Sequence, residues 1–274
     1  MRPIEVFYHF YIPPDVRAAN WTWWVDEQLS LLKKSRLVDI AKINMAITMP
    51  VYMSGMYGLN FNRNKSPEQF TYYSETGQIL VHNPIGPELN FYEKVKEYIS
   101  ARYPFVDIVN VRDCADPNIY EGQTLDFLHK ACIEKDINVL YFYNKGVTRA
   151  GAAVANWKEV LNYYLVDKWP ECVRLLQDAD VVGVKDLVCM DYTVSGNFWW
   201  TKSSHVRTLP NPLNSDQYMG HQVEMYPNGP AYRYAFERWL LINKPKIAHI
   251  VDTKTDHYTN YCFIENLENG KETS

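Results

Sequence analysis

Val139-Leu140-Tyr141-Phe142-Tyr143 is an unbroken apolar and aromatic run that ends in Asn144-Lys145-Gly146-Val147-Thr148-Arg149. A run this short, closed by turn-forming residues, reads as a strand covered on both faces. Such strands belong to parallel sheets, whose crossover helices pack on either side. The flanking segments supply those helices. Upstream, Leu125, Leu128 and Cys132 recur at helical spacing within 121–135. Downstream, Trp157, Val160, Leu161, Tyr164 and Leu165 follow i, i+3, i+4, i+7, i+8 across 156–168. Pro170 interrupts that helix, and a second segment runs to about Gln177.

The same alternation extends in both directions. Ile4–Tyr11 predicts a first strand stopped by Pro13-Pro14, 20–35 a helix, and Ile43–Thr48 a second strand ending at Pro50. Residues 52–88 have no sustained period and read as a long excursion or small hairpin. A helix over 89–102 and a strand at Val106–Val111 precede the central run. After it come strands at Val181–Val184 and Phe198–Trp200, a loop over 208–230, a helix over 230–242 and a strand at Ala248–Val251. The pattern predicts an α/β fold with a mostly parallel central sheet and helices on both faces. It also predicts one domain over 1–265, with a polar tail at 266–274.

Composition narrows the function classes. Charged residues make up 22% and apolar residues 47% of the 274, which is the balance of a globular chain. The formal charge of −4 argues against a phosphate-backbone binder, so no nucleic-acid partner is expected. Cys114, Cys132, Cys172, Cys189 and Cys262 are odd in number and lack any Cys-x-x-Cys pair. They read as reduced thiols of a cytoplasmic protein. The first residues do not form a signal peptide, and no eighteen apolar residues run together to span a membrane.

In α/β sheets, ligands bind beyond the carboxyl ends of the strands, so the residues just after each apolar run are the candidates. Asn144, Lys145, Gly146 and Arg149 follow the central run and suit a diphosphate, or else form an ordinary solvated turn. No phosphate-binding Gly-rich motif of the P-loop or dinucleotide type is present, nor a Gly-x-Ser-x-Gly elbow. Asp178-Ala179-Asp180 has the spacing of a metal–diphosphate ligand pair, but it precedes its strand and reads as a helix-ending turn. Ser195-Gly196-Asn197-Phe198-Trp199-Trp200 offers either a sugar-binding aromatic surface or a core strand, with Asp191 close enough to share the pocket. Glu237, among apolar residues of a helix, is either a general base or the partner of Arg233. Asp256 and His257 follow the last strand and suit a metal or a phosphate and ribose.

Together, Tyr141 to Gly146, Asn156-Trp157-Lys158-Glu159, Lys168-Trp169-x-x-Cys172 and Ser195 to Trp200 resemble glycosyltransferases of bacterial polysaccharide clusters and large algal viruses. In these a His/Asn-x-Lys-Gly turn replaces Asp-x-Asp. The segments Tyr226 to Trp239 and His249 to Tyr258 are similar to the chlorovirus glycosyltransferases that act on the major capsid protein, β-xylosyltransferases among them. The resemblance implies a GT-A-like fold and inverting transfer from a UDP-sugar to a glycan acceptor, such as the glycan of a capsid protein. It places Tyr11, Thr48, Asn144, Lys145 and Arg149 at the donor, with Asp256 and His257 as further donor contacts. It places Ser195, Asn197, Trp199 and Trp200 at the sugar or acceptor, Glu237 as first choice of base, and Asp191 as second. Mn²⁺ is either bound, through Asp256 and His257, or replaced by the charge of Lys145. A sugar-binding module without a base and a nucleotide-sugar hydrolase are the alternative readings.

Overall fold

A computed structural model of the chain describes residues 2–12, 21–49, 70–73, 79–82, 91–113, 121–144, 152–187, 194–214, 236–256 and 260–269. The first strand, β1 (Ile4–Tyr11), leads to helix α1 (Trp21–Lys34) and back to β2 (Ala41–Met49). A two-stranded antiparallel hairpin, β3 (Phe70–Tyr73) and β4 (Ile79–His82), lies within the predicted excursion. Helix α2 (Phe91–Arg102), β5 (Val106–Asp113), α3 (Gly122–Glu134) and β6 (Asn138–Tyr143) follow. Next come α4 (Ala152–Asn162), α5 (Trp169–Leu175), β7 (Val181–Lys185), β8 (Trp199–Lys202), the short α6 (Ser203–Val206), β9 (Ile247–Asp252) and α7 (Ile264–Glu268).

Seven strands form one sheet in the order β5-β2-β1-β6-β8-β7-β9. Every neighbouring pair is parallel except the two that involve β8, which runs against both β6 and β7. This is the α/β, GT-A-like architecture, with helices on both faces. The period-two alternation of side chains divides β1 cleanly. Val6, Tyr8 and Phe10 join a core with α1, α2, α4 and α5, whereas Phe7 joins a second core with α3. Leu140 and Phe142 of β6 face the first core, and Val139 and Tyr141 the second. Both faces are covered, so most positions of the central strands are apolar and read as near-continuous runs, with Glu5, His9 and Asn44 as buried polar exceptions.

One detail of topology has no signature in the sequence: the strand expected at Phe198–Trp200, found as Trp199–Lys202, runs against both neighbours. The helix breaks before Pro170 and a second segment follows, as the sequence predicts, and in the first turn of α5 the missing proline N–H costs nothing. Between the two helices, Tyr163–Asp167 forms a π turn in which the Lys168 N–H reaches the Tyr163 carbonyl at 3.0 Å. Helix α7 extends past residue 265, with Leu267 packed on the first core and the Tyr164 hydroxyl donating to Glu268 at 3.3 Å.

Candidate functional site

The order of strands locates the working edge. From β1 the chain builds outward through β2 to β5, then returns to place β6 on the other side of β1. The crossovers therefore diverge between β1 and β6, and the carboxyl ends of these two strands flank a topological switch point. Tyr11 and Asn144 occupy those ends. The Asn144 amide bridges them, accepting from the Tyr11 N–H at 2.9 Å and donating to the Tyr11 carbonyl at 2.7 Å. Asn144 is only 3% exposed, and its side chain continues the β1–β6 ladder one step beyond the backbone pairing, which ends at His9 and Tyr143. Thr48 is buried at the end of β2, where its carbonyl accepts from the Ile12 N–H at 2.9 Å. Of the residues expected at a donor, Tyr11, Thr48 and Asn144 thus converge on one edge. Asn144 acts there as a brace, with its amide committed to backbone. Lys145 and Arg149 lie outside the described residues.

The segment from Ser195 to Trp200 crosses the same edge. Gly196 and Asn197 both take left-handed backbone (φ 72° and 51°), which glycine and asparagine adopt most readily. This turn sends neighbouring side chains to opposite faces. On the first face, the Ser195 hydroxyl donates to Asp186 at 2.6 Å and accepts from the Trp157 indole at 2.8 Å. On the second, Asn197 donates to Glu121 at 2.7 Å and accepts from the Trp199 indole at 2.8 Å. Trp199 stacks on Tyr141 with 4.8 Å between ring centroids. Trp200 lies in the other core and donates to the Leu165 carbonyl at 2.8 Å. The two tryptophans therefore form no common flat surface, since adjacent strand positions point apart. Both are buried and both indole N–H groups are satisfied inside the protein.

The carboxylate that holds Ser195 is Asp186, just after β7 and 3% exposed. Asp191, the acid expected near Ser195, lies outside the described residues. Asp186 carried a usable signal, as an acid immediately beyond an apolar strand, at the place where the other candidates were sought.

Glu237 lies in a helical stretch, 236–238, that runs into a tight turn at Trp239–Leu241. It is half-buried and stands near the start of α3. Gly122 permits the approach, because a Cβ there would meet the Phe236 ring at 2.6 Å. Glu121 and Glu237 both act on the Tyr141 hydroxyl. Burial first, then Glu121, Tyr143 and Glu237, push that phenol well above its ordinary range. Two carboxylates thus stand on the α3 side of the carboxyl edge, and the sequence had suggested only one. Beside them, His9 contacts the Thr124 hydroxyl through Nδ1 at 2.8 Å, and burial lowers its pKa to about 4, leaving the ring neutral near pH 7.

Asp180 is structural, as the Asp178-Ala179-Asp180 reading anticipated. It accepts from the Lys246 backbone N–H at 3.0 Å and lies 3.2 Å from the Lys202 ammonium, at the amino end of β7. Burial works against its charge, but these two partners hold its carboxyl below the usual range. Among the described residues no three His, Cys, Asp or Glu side chains gather to hold a metal. Asp256 follows β9, and its neighbour His257 falls outside the described residues. Cys132, Cys172 and Cys262 are buried free thiols, each pushed up by burial, and Cys132 reaches about 12. No described helix is long and apolar enough to cross a membrane.

The family model of a domain of unknown function, DUF8361, matches residues 7–247, and the chain belongs to that family. No curated protein and no solved structure matches the chain.

Proposed function

We propose that this member of the DUF8361 family is an inverting glycosyltransferase that moves a sugar from a UDP-sugar, xylose being the first candidate, to a glycan acceptor. The observation that carries the reading is the braced switch point. Asn144 ties the ends of β1 and β6 together, and the chain continues from it into Lys145-Gly146 and Arg149. A rigid amide followed by an ammonium, a glycine and a guanidinium suits a diphosphate, since the two cations match its charge. Tyr11 and Thr48 flank the place for the nucleoside. Asp256 and His257, which follow β9 in sequence, are the residues to hold Mn²⁺ if the donor needs it.

In this reaction a base takes the proton of the acceptor hydroxyl as its oxygen attacks the anomeric carbon. The new C–O bond forms on one face while the bond to the diphosphate breaks on the other, so configuration inverts. Glu237 is the proposed base, and Asp191 the second choice. The acceptor glycan, that of a capsid glycoprotein among them, then lies at the carboxyl edge of the sheet, near the Ser195–Asn197 turn.

Thermal unfolding with UDP-, GDP- and CMP-sugars, each with Mn²⁺ and with EDTA, tests the donor. A ligand at about 100 times its Kd adds roughly 2.7 kcal/mol, a shift of several degrees in a chain of this size. One UDP-sugar should give that shift, and its persistence in EDTA would assign the diphosphate to the cations. Glu237→Gln should keep the shift and lose transfer. If no nucleotide-sugar shifts the wild type, the donor site is wrong. If donor is hydrolysed as fast without acceptor as with it, the protein is a hydrolase.

A further inference from the structure

Helix α3 enters from the end of β5, so its first turn lies at the carboxyl edge, on the second face of the sheet. Two long-range bonds hold it there. Thr124 meets His9 of β1 at 2.8 Å, and Glu121, just before the helix, accepts from Asn197 Nδ2 at 2.7 Å. Glu121 therefore stands beside the ends of β1 and β6 and the turn into β8, next to the switch point. It occupies the N-cap position, where Ser, Thr, Asp and Asn are favoured, and its side chain makes no capping bond. The carboxylate is turned to the edge instead of to its own helix.

Asn197 fixes that orientation. Trp199 Nε1 can only donate, so Asn197 Oδ1 faces it and Asn197 Nδ2 must face Glu121. Asn197 is 6% exposed, whereas Glu121 is only half-buried and reaches the surface. A buried, rigidly held amide thus presents a carboxylate at the rim. Holding Asn197 needs no charge, since a neutral acceptor would serve. The charge instead adds to that of Glu237, and both act on the Tyr141 hydroxyl. Even with Arg238 next to Glu237 in sequence, the described residues of this corner are acidic on balance. The cations Lys145 and Arg149 follow Asn144.

This division of charge sorts donor from acceptor. A diphosphate is drawn to the cations and kept from the α3 side, which is left to the acceptor. An ionised carboxylate only accepts hydrogen bonds, and sugar hydroxyls donate them. A uronic acid or a sugar phosphate would bring another anion against Glu121 and Glu237. An ammonium group would pair with these carboxylates and tie up the base. We propose that Glu121, oriented by Asn197, grips hydroxyl groups of the acceptor beside Glu237 and restricts that acceptor to a neutral sugar. This role rests on the transferase reading, whose acceptor class it names.

The full chain would be given UDP-xylose, UDP-glucose or UDP-galactose with p-nitrophenyl β-glycosides of glucose, galactose, glucosamine and glucuronic acid. Transfer rates and saturation-transfer NMR would compare wild type, Glu121→Gln, Glu121→Ala and Glu237→Gln. A neutral glycoside should be the substrate, with the glucuronide at least about tenfold poorer in kcat/KM. Glu121→Gln keeps an oxygen for Asn197, so the fold is retained. It should raise the acceptor KM at least about tenfold, leave kcat within about threefold and narrow the gap to the glucuronide. Glu121→Ala should do the same, whereas Glu237→Gln should lower kcat and leave acceptor binding in place. The role is overturned if no neutral glycoside binds, or if the glucuronide or the glucosaminide is preferred. It is also overturned if Glu121→Gln lowers kcat with KM unchanged, or changes neither. The UDP-sugar thermal shift, followed in the same variants, reports on the donor. A shift that persists while the acceptor results fail overturns the role of Glu121 alone, and its absence in wild type overturns the transferase reading with it.

Discussion

Replacing Asn144 by alanine removes the brace at the switch point. Both bonds to Tyr11 go to backbone groups at the end of β1, at 2.9 and 2.7 Å, and Asn144 itself is 3% exposed. Each such group costs about 1–3 kcal/mol when buried, so for this part-buried pair the loss amounts to at most roughly 2–6 kcal/mol. At about 2–4 °C per kcal/mol, Tm should fall by on the order of 10 °C. Asn144→Asp gives a sharper test. One carboxylate oxygen still accepts from the Tyr11 N–H, but the other now faces the Tyr11 carbonyl, acceptor against acceptor. Only the protonated acid can donate there, so the folded state raises the pKa above the ordinary value of about 3.9. A raised acid is stabilising below its unfolded pKa, and that contribution is lost as pH rises through the folded pKa. Urea unfolding of wild type and both variants between pH 4 and 8 measures the differences. Asn144→Asp should approach wild type at the acid end and fall to the alanine variant or below near pH 8. An alanine variant within about 0.5 kcal/mol of wild type, or a pH-independent aspartate difference, would refute the brace.

Three further outcomes follow from the same edge. Ser195→Ala removes the hydroxyl shared by Trp157 and Asp186, and should destabilise by about 1–3 kcal/mol in denaturant unfolding, with Ser195→Thr costing less if the hydroxyl matters more than its room. His9 has a folded pKa lowered to about 4 by burial, below the 6.5 of the free side chain, so its contribution is complete above pH 6.5 and lost as pH falls toward 4. That amounts to on the order of 3 kcal/mol, and His9→Gln should flatten this part of the wild-type stability profile. Gly183→Ala places a Cβ 2.5 Å from Val194 Cγ1 and 2.7 Å from Val194 Cβ, and should cost about 1–3 kcal/mol, of which Val194→Ala restores only a part and Val194→Gly more in a double-mutant cycle.

Much of this architecture was legible because both faces of the sheet are covered. Strand β1 coincides with the predicted Ile4–Tyr11, and β7 and β9 depart from expectation by a residue or so at their ends. Two-sided burial removes the period-two signal but leaves an apolar run that few other structures imitate. The helices were found from the stripe each turns to the core, as in Val25, Gln28 and Leu32 of α1, all of them buried. What sequence could not supply was direction and partner. Nothing in Trp199–Lys202 states that β8 runs backwards between β6 and β7, because that follows from where the chain must enter after the Ser195–Asn197 turn.

The candidate site shows the same division between what is local and what is long-range. Asn144 was singled out for a ligand, yet its amide is spent on Tyr11, 133 residues away in sequence. Ser195 and Asn197 looked like one polar surface, but the left-handed turn that their Gly-Asn pair permits sends one to Asp186 and the other to Glu121. Each of these acids is the first beyond an element boundary, one after β7 and one before α3, so position alone could have nominated both. Pairing them with the right hydroxyl or amide required the fold. The consequence for chemistry is specific. A carboxylate tied to Asn197 and another beside Phe236 are held by separate elements that meet only because residue 122 is glycine. Gly122→Ala should therefore disturb the geometry around Glu237 without altering any group expected at the donor. In the transferase reading it lowers turnover while leaving the UDP-sugar thermal shift in place, and Phe236→Leu in the same chain restores turnover by making room for the added methyl. A Gly122→Ala variant with wild-type turnover would separate Glu237 from the reaction.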